Sequence, residues 1–187
     1  MMGRITAIYG SMVAAETDGE LVQNSVARCH RSDGARLLSE VIRIRGHRAD
    51  LQVFEETRGL RVGDAVEFGS ELLSVTLGPG LLGQIYDGLQ NPLPELARSS
   101  GFFLRPGEVL APLPEARRWW VTPRVQPGAV VHRGEALGSV PESIVEHVVT
   151  VPFAWRGRYT VNSVAEPGHY TVAEPIALLR DEAGREH

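Results

Sequence analysis

Residues 77–96 read LGPGLLGQIYDGLQNPLPEL, and the fold turns on what this stretch is. Gly78-Pro79-Gly80-Leu81-Leu82-Gly83 satisfies G-x-G-x-x-G and follows a strand-like run at 72–77. A dinucleotide-binding turn needs a long helix after the glycines, packed on a parallel sheet, with an acidic residue about 20 positions further on. Leu81, Leu82, Ile85 and Leu89 carry helical spacing. Asp87-Gly88, Pro92 and Pro94 stop such a helix after about two turns. No alternation of strands and helices comes after it to build a parallel sheet. The reading that remains is a tight glycine turn entering a short helix.

Upstream, the pattern is that of short strands. Residues 4–9 and 12–15 flank Gly10-Ser11, and 25–30 is a further strand. The clearest pair is 38–45 and 49–55, joined at Gly46-His47-Arg48. Ile42 and Ile44 alternate with Arg43 and Arg45, which predicts one apolar and one charged face. Gly63-Asp64 turns into 65–68, and 72–77 closes the set. Six or seven strands at this spacing predict a small closed β-barrel.

Downstream, 96–114 reads as a connector. Ser99-Ser100-Gly101 and the prolines at 106, 112 and 114 oppose long regular structure there. Trp119-Trp120 reads as a core or interface anchor in preference to a stacking site for a ligand. Residues 119–180 hold a near-repeat: Val125-Gln126-Pro127-Gly128-Ala129-Val130-Val131 is echoed by Ala165-Glu166-Pro167-Gly168-His169-Tyr170-Thr171-Val172. Each Pro-Gly fits a type II turn. Two such half-sheets predict a flattened β-sandwich with pseudo-twofold symmetry, the shape of biotinyl and lipoyl carrier domains. The chain ends in Asp181-Glu182-Ala183-Gly184-Arg185-Glu186-His187, a polar tail with nothing in it to fold onto a core.

Composition narrows the chemistry. The 187 residues can hold one ordinary domain or two small ones, and 43% hydrophobic with 22% charged residues is a globular composition. No apolar run reaches the roughly 18 residues of a membrane span, and no basic-then-apolar leader opens the chain. The single cysteine, Cys29, precludes an internal disulfide and fits a reducing compartment. All 19 basic residues are arginine. Without lysine there is no Walker A loop, no Schiff base and no biotin or lipoate attachment, so the carrier shape would lack carrier chemistry.

Net charge of −4 argues against a nucleic-acid surface, and the barrel arginines read as solvated strand faces. Cys29-His30 has no further cysteine and no histidine at zinc spacing, and His47, His132, His147, His169 and His187 are scattered. No Ser/His/Asp or paired-carboxylate arrangement stands out. The expectation is therefore no catalytic, cofactor-binding or metal-binding residue within this chain.

The run from Leu77 to Leu93 resembles the start of the nucleotide-binding domain in the catalytic A subunit of V/A-type rotary ATPases. That family writes it LGPGLL-x-x-IYDGIQRPL; here Asn91 replaces the usual arginine. Gly3-Arg4-Ile5, Tyr9-Gly10-Ser11-Met12-Val13, Ser39-Glu40-Val41-Ile42-Arg43-Ile44 and Gln52-Val53-Phe54-Glu55-Glu56-Thr57-Arg58-Gly59-Leu60 are similar to the same family's N-terminal barrel. Arg105–Trp119 resembles its RGVEVPALDREKKW. Gly138-Ser139-Val140-Pro141-Glu142, Glu146-His147, Val151-Pro152, Gly157 and Tyr170-Thr171-Val172-Ala173-Glu174 look like its bulge, or non-homologous, region.

The resemblance implies a mainly β chain: an N-terminal barrel over 1–76, a connector like the start of the nucleotide domain over 77–118, a bulge-type barrel-sandwich module over 119–180, and a polar tail over 181–187. It implies the structural, stator-facing part of a proton- or sodium-translocating ATPase or ATP synthase, an N-terminal piece of a longer subunit. ATP and magnesium would then belong to a P-loop domain absent from this chain, which by itself would neither hydrolyse nor tightly bind ATP. The implied partners are the A and B subunits of the hexamer and, through the bulge, the peripheral stalk, with no nucleic acid and no direct membrane insertion. The implied location is cytoplasmic, on the membrane-peripheral ATPase head. The alternative is a free-standing non-catalytic adaptor that reuses the same β modules to bind a protein partner.

Overall fold

In the computed structural model, which describes residues 1–101 and 105–187, the chain divides into two compact units. Residues 1–75 and 93–110 form the first; 76–92 and 111–187 form the second. The region read as a connector is thus shared out, with 93–110 in the first unit and 76–92 in the second. Residues 102–104 of that region lie outside the described residues.

The first unit is a closed antiparallel barrel. Its strands are β1 (Met2–Tyr9), β2 (Met12–Glu16), β3 (Ser25–His30), β4 (Arg36–Arg45), β5 (Arg48–Val53) and β6 (Ala65–Leu72). They succeed one another around the barrel as β1-β2-β5-β4-β3-β6, and β6 pairs with both β1 and β3 to close it. Closure leaves no unpaired sheet edge. Strand alternation sends Leu37, Ser39 and Val41 inward from β4, and Ala49, Leu51 and Val53 inward from β5. Full burial of each large aliphatic side chain here contributes about 1.5–3 kcal/mol.

Two local expectations fail in this unit. Residues 73–77 form no ladder; the closing strand is β6, which ends at Leu72. The apolar face expected of Ile42 and Ile44 is interrupted by a shift of register between Val41 and Arg43. A bulge adds a residue to one strand and re-aims the side chains beyond it, so Ile42 is 41% exposed while Ile44 still packs against the core. Cys29 is fully buried in the barrel, as befits a small residue on a strand.

The short helix expected in the connector is present but falls later than its sequence reading places it. Leu93–Ser100 forms helix α1. Pro94 sits in the first turn, where a missing N–H costs nothing. Glu95 and Arg98 pair at 3.0 Å along one face. The proline that forbids a helix before it begins one here.

The second unit is a two-sheet sandwich, antiparallel throughout its ladders. Its strands are β7 (Trp119–Pro123), β8 (Val130–Val131), β9 (Ala136–Glu142), β10 (Val145–Thr150), β11 (Tyr159–Val164), β12 (Gly168–Tyr170) and β13 (Ala177–Asp181). One sheet runs β10-β9-β7-β12 and the other β13-β11-β8. Trp119, Val121 and Val140 form one core cluster; Val131, Leu137, Val151, Tyr159, Val161 and Leu179 form another. Trp119 is buried, whereas Trp120 alternates outward and meets the His169 ring edge-on at 5.2 Å.

The sequence repeat is only half a structural one. Ala129 N donates to Gln126 O at 3.1 Å and Gly128 has φ +86°, the expected type II turn at Pro127-Gly128. Gly168 has no positive φ; it opens β12 and pairs with Val121. Ladder pairing, which needs extended backbone, overrides the turn preference there. The polar tail also departs from expectation. Leu179 and His187 exchange both backbone hydrogen bonds, and the His187 ring lies 4.9 Å from that of Trp155. Asp181 organises this turn by accepting from Ala183 N and Arg185 N, each at 2.9 Å.

Candidate functional site

The glycine stretch adopts no helix. Residues 78–91 make successive turns, and Leu82 and Ile85 are 53% and 66% exposed. The helical spacing of Leu81, Leu82, Ile85 and Leu89 is therefore coincidental, and the reason is polar. Asp87 accepts from Leu89 N at 2.9 Å, Asn91 N at 2.8 Å and Asn91 Nδ2 at 2.9 Å. A carboxylate that binds the backbone two and four residues ahead folds a loop where a helix would otherwise continue. The Asp87 carboxyl is held below its ordinary value, burial opposing these three hydrogen bonds and losing to them. Asn91 is buried and completes this turn.

The glycines themselves face a carboxylate. Glu142 Oε1 accepts from Gly80 N at 2.6 Å and from Leu82 N at 3.2 Å. Alternation along β9 places Gly138, Val140 and Glu142 on one buried face, so the carboxylate is aimed inward by the same pleat that buries Val140. Its residue is 4% exposed. The second oxygen, Oε2, makes no well-formed hydrogen bond, and His147 Nδ1 stands 3.3 Å from it at ion-pair distance. Gly80 has φ +108°, and a Cβ there would lie 2.7 Å from Pro114 Cδ. Only glycine fits both the conformation and the space.

This arrangement tests the phosphate reading directly. Backbone N–H groups in a glycine turn form a ready anion cradle. Here the cradle already holds an anion, the Glu142 carboxylate from the same unit. The residues do not fit a nucleotide phosphate. Among the described residues, no group of three or more His, Cys, Asp or Glu side chains could hold a metal ion.

A second polar cluster braces the same sheet. Ser139 Oγ donates to Glu146 Oε1 at 2.6 Å and accepts from Arg124 Nε at 3.2 Å. Arg124 Nη2 also pairs with Glu146 Oε2 at 2.5 Å. The Ser139 and Arg124 hydrogen bonds hold the Glu146 carboxyl below its ordinary range. In the barrel, Cys29 is the reverse case: burial pushes its thiol up to about 11, against a smaller opposing effect of Ser39. Burial of this kind disfavours the thiolate on which cysteine reactivity depends. His30, its neighbour, instead faces Glu67 at 3.4 Å.

Residues 5–69 match the ATP synthase alpha/beta family beta-barrel domain, and residues 110–187 match the ATPsynthase alpha/beta subunit barrel-sandwich domain. The chain belongs to the ATP synthase alpha/beta family. It is 48% identical over 185 residues to the V-type ATP synthase alpha chain 1 of Treponema pallidum, covering 99% of this chain and 31% of that one. It is 47% identical over 182 residues to the V-type ATP synthase alpha chain of Treponema denticola, and 44% over 185 residues to that of Borreliella burgdorferi strain ZS7. The chain spans about a third of the length of these curated relatives.

Within the ATP synthase alpha/beta family, this chain therefore carries the N-terminal barrel and barrel-sandwich portion of a V-type alpha chain. Glu142 is the residue that sequence reasoning missed. It stands 62 positions from Gly80, and nothing local to either residue signals that they meet.

Proposed function

We propose that this chain is the structural, stator-facing N-terminal part of the catalytic A subunit of a V/A-type rotary ATPase or ATP synthase. The observation that carries the reading is similarity along essentially the whole chain to a third of V-type ATP synthase alpha chains. The Glu142-capped glycine loop supports a scaffold in place of a nucleotide site, because its amide donors are already satisfied. On this reading ATP and magnesium are handled by a P-loop domain outside this sequence, and 77–118 leads toward it. The barrel over 1–76 joins the A and B subunits into a hexamer, and the module over 119–180 meets the peripheral stalk. The assembly would sit on the cytoplasmic side, peripheral to the membrane; among the described residues no helix is long and apolar enough to cross one.

Native mass spectrometry of the chain mixed with a separately produced B subunit tests this. Heteromeric complexes are expected at micromolar concentration. A chain that stays monomeric beside a folded B subunit refutes the assembly role, and saturable micromolar ATP binding refutes the scaffold reading. No observation favours the free-standing adaptor.

A further inference from the structure

The barrel-sandwich unit carries a basic cleft that the assembly reading leaves without a role. Two turns form it: His132, Arg133 and Gly134 after β8, and Arg156, Gly157 and Arg158 before β11. His132, Arg133, Arg156, Gly157 and Arg158 line an open cleft of about 640 Å³. The side chains of its wall are exposed. Glu182 partly neutralises it by pairing with Arg158 at 2.9 Å, and Glu135 stands 3.5 Å from His132 Nδ1. No acidic partner of Arg133 or Arg156 occurs among the described residues. Phe153, 74% exposed, rests over Gly134, the residue after Arg133.

Free guanidinium groups concentrated in one cleft of a chain with net charge −4 call for an anionic partner. Arginine forks match carboxylates in bidentate geometry, which lysine does not reproduce. A small-molecule site would show a few convergent polar groups in a mostly apolar, enclosing wall, whereas this wall is open and its side chains are all histidine or arginine. Charge beside an exposed aromatic ring is instead the make-up of a protein interface, with an apolar anchor and a polar rim. We propose that this cleft docks an acidic segment of a protein partner, its carboxylates on Arg133 and Arg156 and an apolar side chain against Phe153. The inference rests on the reading of the barrel-sandwich module as a partner-contact unit, and adds the surface and the partner's charge.

The test uses the full 187-residue chain and a fluorescein-labelled peptide of alternating Glu and Leu, with its Gln-for-Glu counterpart as control. Fluorescence anisotropy should show salt-sensitive binding of the acidic peptide alone. Arg133→Glu with Arg156→Glu should weaken it at least about tenfold. The same charge change in the barrel, Arg45→Glu with Arg61→Glu, should leave it within about twofold. Equal loss in both double variants would mean unlocalised charge attraction and overturn the proposal. Displacement by pyrophosphate at concentrations comparable to the peptide would make the cleft a phosphate site and equally overturn it. Retained peptide binding in the cleft variant, with B-subunit association intact, would refute this inference while leaving the assembly reading standing.

Discussion

Replacing Glu142 by alanine should loosen the glycine loop and destabilise the unit that contains it. The carboxylate accepts from a buried amide at 2.6 Å and from a half-buried one at 3.2 Å. A hydrogen bond to a charged group contributes about 1.5–3 kcal/mol, and the orphaned Gly80 amide would cost about 1–3 kcal/mol, figures that overlap because they describe one bond. Leu82 N can reach water and adds at most about 1 kcal/mol. Removing a buried carboxylate also relieves its desolvation, which lowers the total. The net expectation is about 1–3 kcal/mol for Glu142→Ala and about 1 kcal/mol for Glu142→Gln, which keeps an acceptor oxygen and loses the charge.

Urea unfolding monitored by tryptophan fluorescence measures this cleanly, because Trp119, Trp120 and Trp155 all lie in the barrel-sandwich unit. With a slope of about 1–3 kcal/mol/M, the alanine variant's midpoint should fall by on the order of 1–2 M. Amide exchange at Gly80 should accelerate in parallel. A Glu142→Ala midpoint within the error of the parent, with Gly80 still protected, would refute the latch.

Two further outcomes are expected in the barrel. A Cβ on Gly3 would lie 2.5 Å from Glu16 O and 2.8 Å from the Phe68 ring, at the short β1–β6 seam; Gly3→Ala should cost at least about 2 kcal/mol, and an unchanged thermal midpoint would show that the seam yields freely. Cys29, its thiol raised by burial to about 11 from an ordinary 9.0, should react with Ellman's reagent only on unfolding. The unfolded thiol releases its proton first, so between pH 9 and 11 the native state binds more protons and stability should fall as pH rises. A Cys29→Ser variant with the same alkaline sensitivity would locate the effect elsewhere.

Much of this molecule is decided by local sequence. The hairpins around Gly10-Ser11 and Gly46-His47 appear where they are expected, because turn residues between alternating strands act over a few positions. The exclusion of Walker-type and carrier chemistry comes from the missing lysine alone. The family is carried by residues 5–69 and 110–187. Local pattern misleads where a distant or polar partner competes with it. Leu81, Leu82, Ile85 and Leu89 have the period of a helix, yet Asp87 folds the segment into turns. Pro167-Gly168 has the chemistry of a type II turn, yet Gly168 is drawn into a ladder with Val121.

What the sequence determined by itself is the mainly β character, the barrel hairpins and the absence of a phosphate-gripping lysine. Those depend on alternation, turn residues and composition, which act within a few positions of one another. Only the tertiary structure decided that the glycine loop is occupied. A backbone cradle is satisfied by whichever anion the fold delivers, and β9 delivers Glu142 from 62 residues away through the pleat that buries Val140.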